Sequence, residues 1–246
     1  MGVSVSTAKW LAPTSFAFNF ACQLYGMLSS PNMKDINDAN QSFFSPQPFF
    51  IAGFFGPQQI LQVAWLYRLW KLSPSKPNEA PELAKVVNYV PYYALGNVCI
   101  GTWMIFWNSS HLAIADIFVT INTLSQLLYV TTLLPPLEPR STSSLLTHLV
   151  SKTFAGIGVL DLLHNTSVAF YKDYTPRTLV KVLTAVGFAA GSACSDWIMG
   201  GCLVYDLVAL AAGQSGQWRM LLGGPPYKNH AGGGHTPASG TDEETA

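Results

Sequence analysis

Long apolar stretches alternate with short polar turns along this chain, and that rhythm predicts its architecture. A hydrocarbon core about 30 Å thick needs roughly 20 mostly apolar residues at about 1.5 Å of helical rise each. Trp10–Leu28, Pro48–Trp70, Tyr89–Trp107, Leu112–Leu134 and Leu145–Phe170 all meet that length. The region Leu179–Ala212 is too long for one ordinary span and barely long enough for two. Gly191, Gly200 and Gly201 lie within it, and glycine lets membrane helices bend or pack closely. The pattern predicts an all-α, polytopic membrane helix bundle. It has six transmembrane helices, the last followed by a broken or interfacial helix; a seventh, short span is the alternative. Residues 1–218 make up the membrane domain, and the polar residues 219–246 have the composition of a disordered tail.

Composition sharpens this reading. The 246 residues are 49% hydrophobic and 11% charged, whereas a soluble domain carries about 25% charged residues. Too few charges remain to clothe a water-exposed surface. The 13 basic and 13 acidic side chains balance, which leaves no electrostatic footprint for nucleic acid. Cys22, Cys99, Cys194 and Cys202 fall in apolar stretches without a CxxC pair. They read as small hydrophobes, so no metal site and no cofactor is expected. The N-terminus lacks a small-x-small cleavage site and reads as a retained first span. Gly2 with Ser6 fits the N-myristoylation pattern, but a chain that already spans the bilayer gains little from a lipid.

Loop charges orient the bundle. With the N-terminus inside, Lys9, Arg68, Lys71, Lys76, Lys85, Arg140, Lys152, Arg219 and Lys228 collect on one side, against Lys34, Lys172, Arg177 and Lys181. With six spans this excess places both termini in the cytosol; a seventh would carry the tail across. The sequons at Asn40 and Asn108 then face the other side, where Asn40 has more room for a glycan. Trp65, Tyr67, Trp70, Tyr89, Tyr92 and Tyr93 read as the belt of rings at the headgroups.

Polar groups inside a bilayer are expensive, and each needs a partner, a cavity or water. Gln58 and Gln62 lie one helical turn apart and share a face, just after Pro57. They either bridge helices or line a polar patch in a ligand cavity. Asp161 and His164 also share a face and could form a hydrogen-bonded pair, either a proton relay or an interhelical knot. Asp116 lies near the start of its span and either caps its own helix or is hydrated. Asp196, in a Gly-rich stretch, is a candidate cavity wall, and Asp206 reads as interfacial. The chain has no Gly-rich phosphate loop, no HExxH and no GxSxG, which argues against an ATP-driven pump or a common hydrolase.

Several of these motifs together carry a resemblance. Ser45-Pro46 with Phe55-Gly56-Pro57, Asn97 with Trp103 and Trp107, Ala115-Asp116-Ile117 and the segment GVLDLLHNTSVAF resemble the TspO/MBR family, the tryptophan-rich sensory or translocator proteins. The likeness covers about Phe43 to Phe170. The chain departs from the family in carrying Gln58-Gln59 where Val-Trp usually follows the Gly-Pro. It is also similar to multi-pass membrane proteins of fungi. The TspO/MBR likeness implies a five-helix core enclosing an apolar ligand such as a porphyrin, sterol or other lipid. Trp103 and Trp107 would wall that pocket and supply N–H donors, Asn97 would orient a polar group of the ligand, and Gln58 and Gln62 would line it. An endomembrane or a mitochondrial outer membrane would suit such a protein.

Three readings of function follow. The first is a non-enzymatic binder or transporter of a small hydrophobic molecule, between the second, third and fifth spans. The second is a membrane-embedded cyclase or isomerase of lipid or isoprenoid metabolism, with Asp116, Asp161 or Asp196 as general acid and His164 beside it. The third is a structural subunit without a ligand. Membrane lipid is a partner on every reading, and a homo-oligomer is left open.

Overall fold

The computed structural model describes residues 3–223, and every element among them is helical. The tail beyond Gly223, with Lys228, and the Gly2 lipidation signal lie outside the described residues. In chain order the helices are α1 (Val5–Leu28), α2 (Met33–Ala39), α3 (Pro48–Lys71), α4 (Ala80–Asn108), α5 (Leu112–Leu128), α6 (Thr142–Phe170), α7 (Thr178–Ala193), α8 (Trp197–Gly213) and α9 (Gly216–Leu221). A π-helical turn, Tyr129–Leu133, extends α5 until Pro135 and Pro136 stop it. Three helices are long and apolar enough to cross a membrane by length and composition: Pro48–Lys71, Leu112–Leu133 and Thr142–Phe170. The apolar helices α7 and α8 are shorter, at 16 and 17 residues.

Local chemistry sets several boundaries. Ser4 caps α1 by accepting from the Thr7 amide at 3.1 Å. Asn32 and Asp35 form a reciprocal capping box on α2. Pro48 sits in the first turn of α3, where its missing N–H costs nothing. Asp196 caps α8 by accepting from the amides of Ile198 and Met199 at 3.2 and 3.1 Å. That cap breaks Leu179–Ala212 into two helices of nearly equal length. Helix α9 runs through position 218 and buries Trp218, whose indole donates to the Phe43 carbonyl at 2.6 Å.

Helix α1 packs on α4, α4 on α5 and α5 on α6, while α3 and α8 lie against α6. One end of the bundle holds a polar knot. Arg68 of α3 donates to Ser143 and to Glu82 at 2.8 and 3.0 Å. Ser141 and Ser143 also donate to Glu82. These hydrogen bonds, that from Ser143 first, then Ser141 and Arg68, hold the Glu82 carboxyl below its ordinary range. We refer to this as the Arg68 end and to the opposite one as the Ser45 end. There Ser42 meets Ser167 at 2.6 Å, and Asn108 donates to Ser29 at 2.6 Å.

The short helices form an antiparallel pair. Gly191 of α7 faces Leu203 of α8. Asp196, between them, pairs with Lys152 of α6. From there α8 returns to the Ser45 end, where Gln47 donates to the Ala209 carbonyl at 3.0 Å. The C-terminal end of α8 therefore lies at the end opposite Lys9, which donates to the carbonyls of Trp70 and Leu72 at 3.0 and 2.9 Å.

Part of the expected aromatic belt is core instead. Tyr67 and Trp70 are exposed, but Trp65, Tyr89 and Tyr93 are fully buried. The cause is the start of α4. It begins at Ala80, nine residues before Tyr89, so the polar turn at its head carries the tyrosines into the bundle.

Candidate functional site

Helix α3 buries one stripe, Gln58, Gln62, Trp65 and Leu69, at the spacing of a single helical face. Its outward positions Ile60 and Val63 are apolar and exposed. Polar side chains thus face protein and apolar ones face outward, as a lipid-solvated helix requires. The Trp65 ring lies 4.6 Å from that of Tyr93 and 5.4 Å from that of Tyr89, and its indole donates to Thr147 of α6 at 3.0 Å. This contact layer joins α3, α4 and α6.

Two runs of hydrogen bonds border the layer. Gln23 donates to Asn19 at 3.2 Å, Asn19 to Asn97 at 2.9 Å, and Asn97 to the Tyr93 carbonyl at 2.9 Å, tying α1 to α4. Tyr89 donates to Gln126 at 3.0 Å, and Gln126 to the Tyr92 carbonyl at 2.8 Å. Gly96 permits this closeness. A Cβ there would lie 2.6 Å from Gln126 Nε2 and 2.8 Å from Asn122 Oδ1.

Other polar atoms in and around the layer are not bonded. Gln58 Nε2, Gln62 Oε1, Tyr93 Oη, Asn122 Oδ1, Tyr129 Oη and Ser151 Oγ are buried with no hydrogen-bond partner. So are both side-chain polar atoms of Gln59. Gln62 does donate to Gln58, which leaves the outer atom of each amide free. Gln62 and Ser151 stand one turn from Trp65 and Thr147, and Tyr129 stacks on Tyr89 with ring centroids 4.7 Å apart. A buried group left without a partner costs about 1–3 kcal/mol. A cluster of them around one contact layer calls for an explanation.

The tryptophans and most acidic candidates gather elsewhere, toward the Ser45 end. Trp103 and Trp107 are neighbours with ring centroids 5.7 Å apart, and Trp107 lies 5.5 Å from the His164 ring. Their N–H groups are already used, Trp103 on Asn165 at 2.7 Å and Trp107 on the Met33 carbonyl at 3.2 Å. Asn97 is engaged at both amide atoms, its Oδ1 by Asn19 and its Nδ2 by the Tyr93 carbonyl, and neither tryptophan has a free donor for a ligand. His164 Nδ1 lies 3.4 Å from Ser45 Oγ, and Asp161 and His164 do not bond each other. Being three apart put them on one side of α6, but their side chains turn to different neighbours. Asp116 does not cap its helix; it accepts from Thr166 at 3.0 Å. Asp196 is a cap and an ion pair, not a cavity wall. Asn40 Nδ2, the atom a glycan would take, donates to the Ile36 carbonyl at 2.8 Å, while its Oδ1 accepts from Lys172.

Asp206 is the largest departure from the sequence reading. It is fully buried in α8, not interfacial, and neither carboxyl oxygen has a partner. It lies within Coulombic reach of Asp161, whose own carboxyl makes no hydrogen bond among the described residues. No group of three or more His, Cys, Asp or Glu with metal-binding geometry occurs among the described residues. The chain matches no known protein family, no curated protein and no solved structure.

Proposed function

We propose that this is a multi-pass membrane protein that binds or transports a small lipophilic molecule carrying a hydrogen-bonding group. A porphyrin, a sterol or another lipid-like metabolite has that chemistry. The site is the layer between α3, α4 and α6 that begins one turn in from the polar knot at the Arg68 end. The observation that carries the reading is the set of unpartnered atoms on Gln58, Gln62, Tyr93, Asn122 and Ser151. Trp65, Tyr89 and Tyr93 supply flat apolar walls beside them. On this reading α1, α3, α4, α5 and α6 correspond to the five-helix core that the TspO/MBR likeness implies.

Topology is part of the proposal. At about 25 Å each, α7 and α8 are short spans that a locally thinned bilayer accommodates. Seven membrane helices put the termini on opposite sides. Lys9, Arg68, Lys71, Lys76, Lys85, Arg140 and Lys152 then stand against Lys34, Lys172, Arg177, Lys181, Arg219 and Lys228, and this excess of a single charge still favours a cytosolic N-terminus.

Retention of ligand tests the site. Small molecules extracted with the wild type should be missing from the Gln58→Leu/Gln62→Leu double variant, while its melting temperature holds or rises. Equal retention by the two proteins refutes the reading. A second reading, an enzyme with an intramembrane acid, draws support from the unpartnered Asp206 carboxyl near Asp161. It requires Asp206→Asn or Asp161→Asn to abolish one product in a metabolite profile at normal protein levels.

A further inference from the structure

Helix α7 is exposed on most of its surface, yet one stripe of it walls a slot. Lys181, Thr184, Ala185, Phe188, Ala189 and Ser192 recur at three- and four-residue intervals along that face. Leu207 of α8, with Trp218 and Leu221 of α9, forms the opposite wall, enclosing about 190 Å³. The two alanines hollow the slot, and Phe188, Leu207 and Trp218 make it apolar. Polar character is concentrated at one mouth. The ammonium of Lys181, one turn into α7, makes no hydrogen bond or ion pair among the described residues. Arg177 stands at the N-cap position of α7, and Asp173 is the acidic residue of the adjoining connection.

Length and charge identify the occupant. Lys181 to Ser192 spans about 16 Å along the helix, close to one leaflet's half of a hydrocarbon core about 30 Å thick. The cation stands at the Ser45 end, where the headgroups of that leaflet lie. We infer that this slot holds an acyl chain of an anionic glycerophospholipid, its phosphate resting on Lys181. The site is separate from the Gln58–Gln62 layer and does not rest on its ligand.

Native mass spectrometry of the full chain, with phosphatidylglycerol or phosphatidylcholine of matched acyl chains added, tests this. Phosphatidylglycerol should be retained at least about tenfold better. Lys181→Ala should reduce that preference to threefold or less, and Ala185→Trp, which fills the slot, should weaken both lipids. Leu183→Ala, on another exposed part of α7, serves as the control and should leave retention unchanged. Equal retention of the two lipids, or a preference that survives both Lys181→Ala and Ala185→Trp in proteins of wild-type melting temperature, overturns the assignment. If Ala185→Trp fails to fold, the Lys181→Ala result decides alone.

Discussion

Trp65→Ala should cost about 3 kcal/mol of stability, measured by reversible unfolding in bicelles. This is near the low end for a buried tryptophan in a soluble core, where truncation removes 3–5 kcal/mol. In a bilayer the surrounding lipid is as apolar as the protein interior, so the change forfeits packing but little transfer energy. The loss remains large because Trp65 is fully buried against Tyr89 and Tyr93 and is hydrogen-bonded to Thr147. On α3 it shares the buried stripe with only Gln58, Gln62 and Leu69. Trp65→Phe keeps a ring and gives up one hydrogen bond, and should cost about 1 kcal/mol. Equal losses for the two variants would show that the indole N–H, and not the packed ring, fastens α3.

Asp206→Val should move stability the other way, raising it by about 1–3 kcal/mol, the usual penalty of a buried polar group without a partner. The reasoning is that both oxygens of Asp206 are buried and unbonded, so the wild type bears a desolvation cost that a shape-matched apolar side chain avoids. Asp206→Asn should lie close to wild type, since an amide there remains polar. A destabilised Asp206→Val would mean that the carboxyl has a structural partner. A stabilised variant that has lost its cellular role would mean that the residue is kept for function.

Much of the scaffold was legible because prolines and apolar runs mark helix ends directly. Pro48 opened the second predicted span and opens α3; Leu112 opened the fourth and opens α5. Polar residues that continue a helix outside the bilayer were not legible. The turn from Ala80 looked like a loop, so Tyr89 and Tyr93 looked interfacial when they are core. In Leu179–Ala212 the decisive residue was Asp196, whose capping role depends on the amides of Ile198 and Met199 and on a lysine 44 positions away.

The site was readable to the same partial degree. Helical periodicity alone placed Gln58 and Gln62 on one face. It could not show that Asn97 is already bonded to Asn19, 78 residues distant, or that the Trp103 donor is spent on Asn165. Tyr93 and Ser151 were missed because a tyrosine near a span end and a serine within a helix are both ordinary. Asp206 was noticed as an intramembrane carboxylate, but its depth followed only from α8 packing against α6.

An experimental density map of the protein in lipid nanodiscs, taken without added ligand, goes to the centre of this account. It should contain non-protein density touching the Gln62 amide, the Tyr93 hydroxyl and Asn122. A map in which those groups close on one another and leave no such density would contradict it.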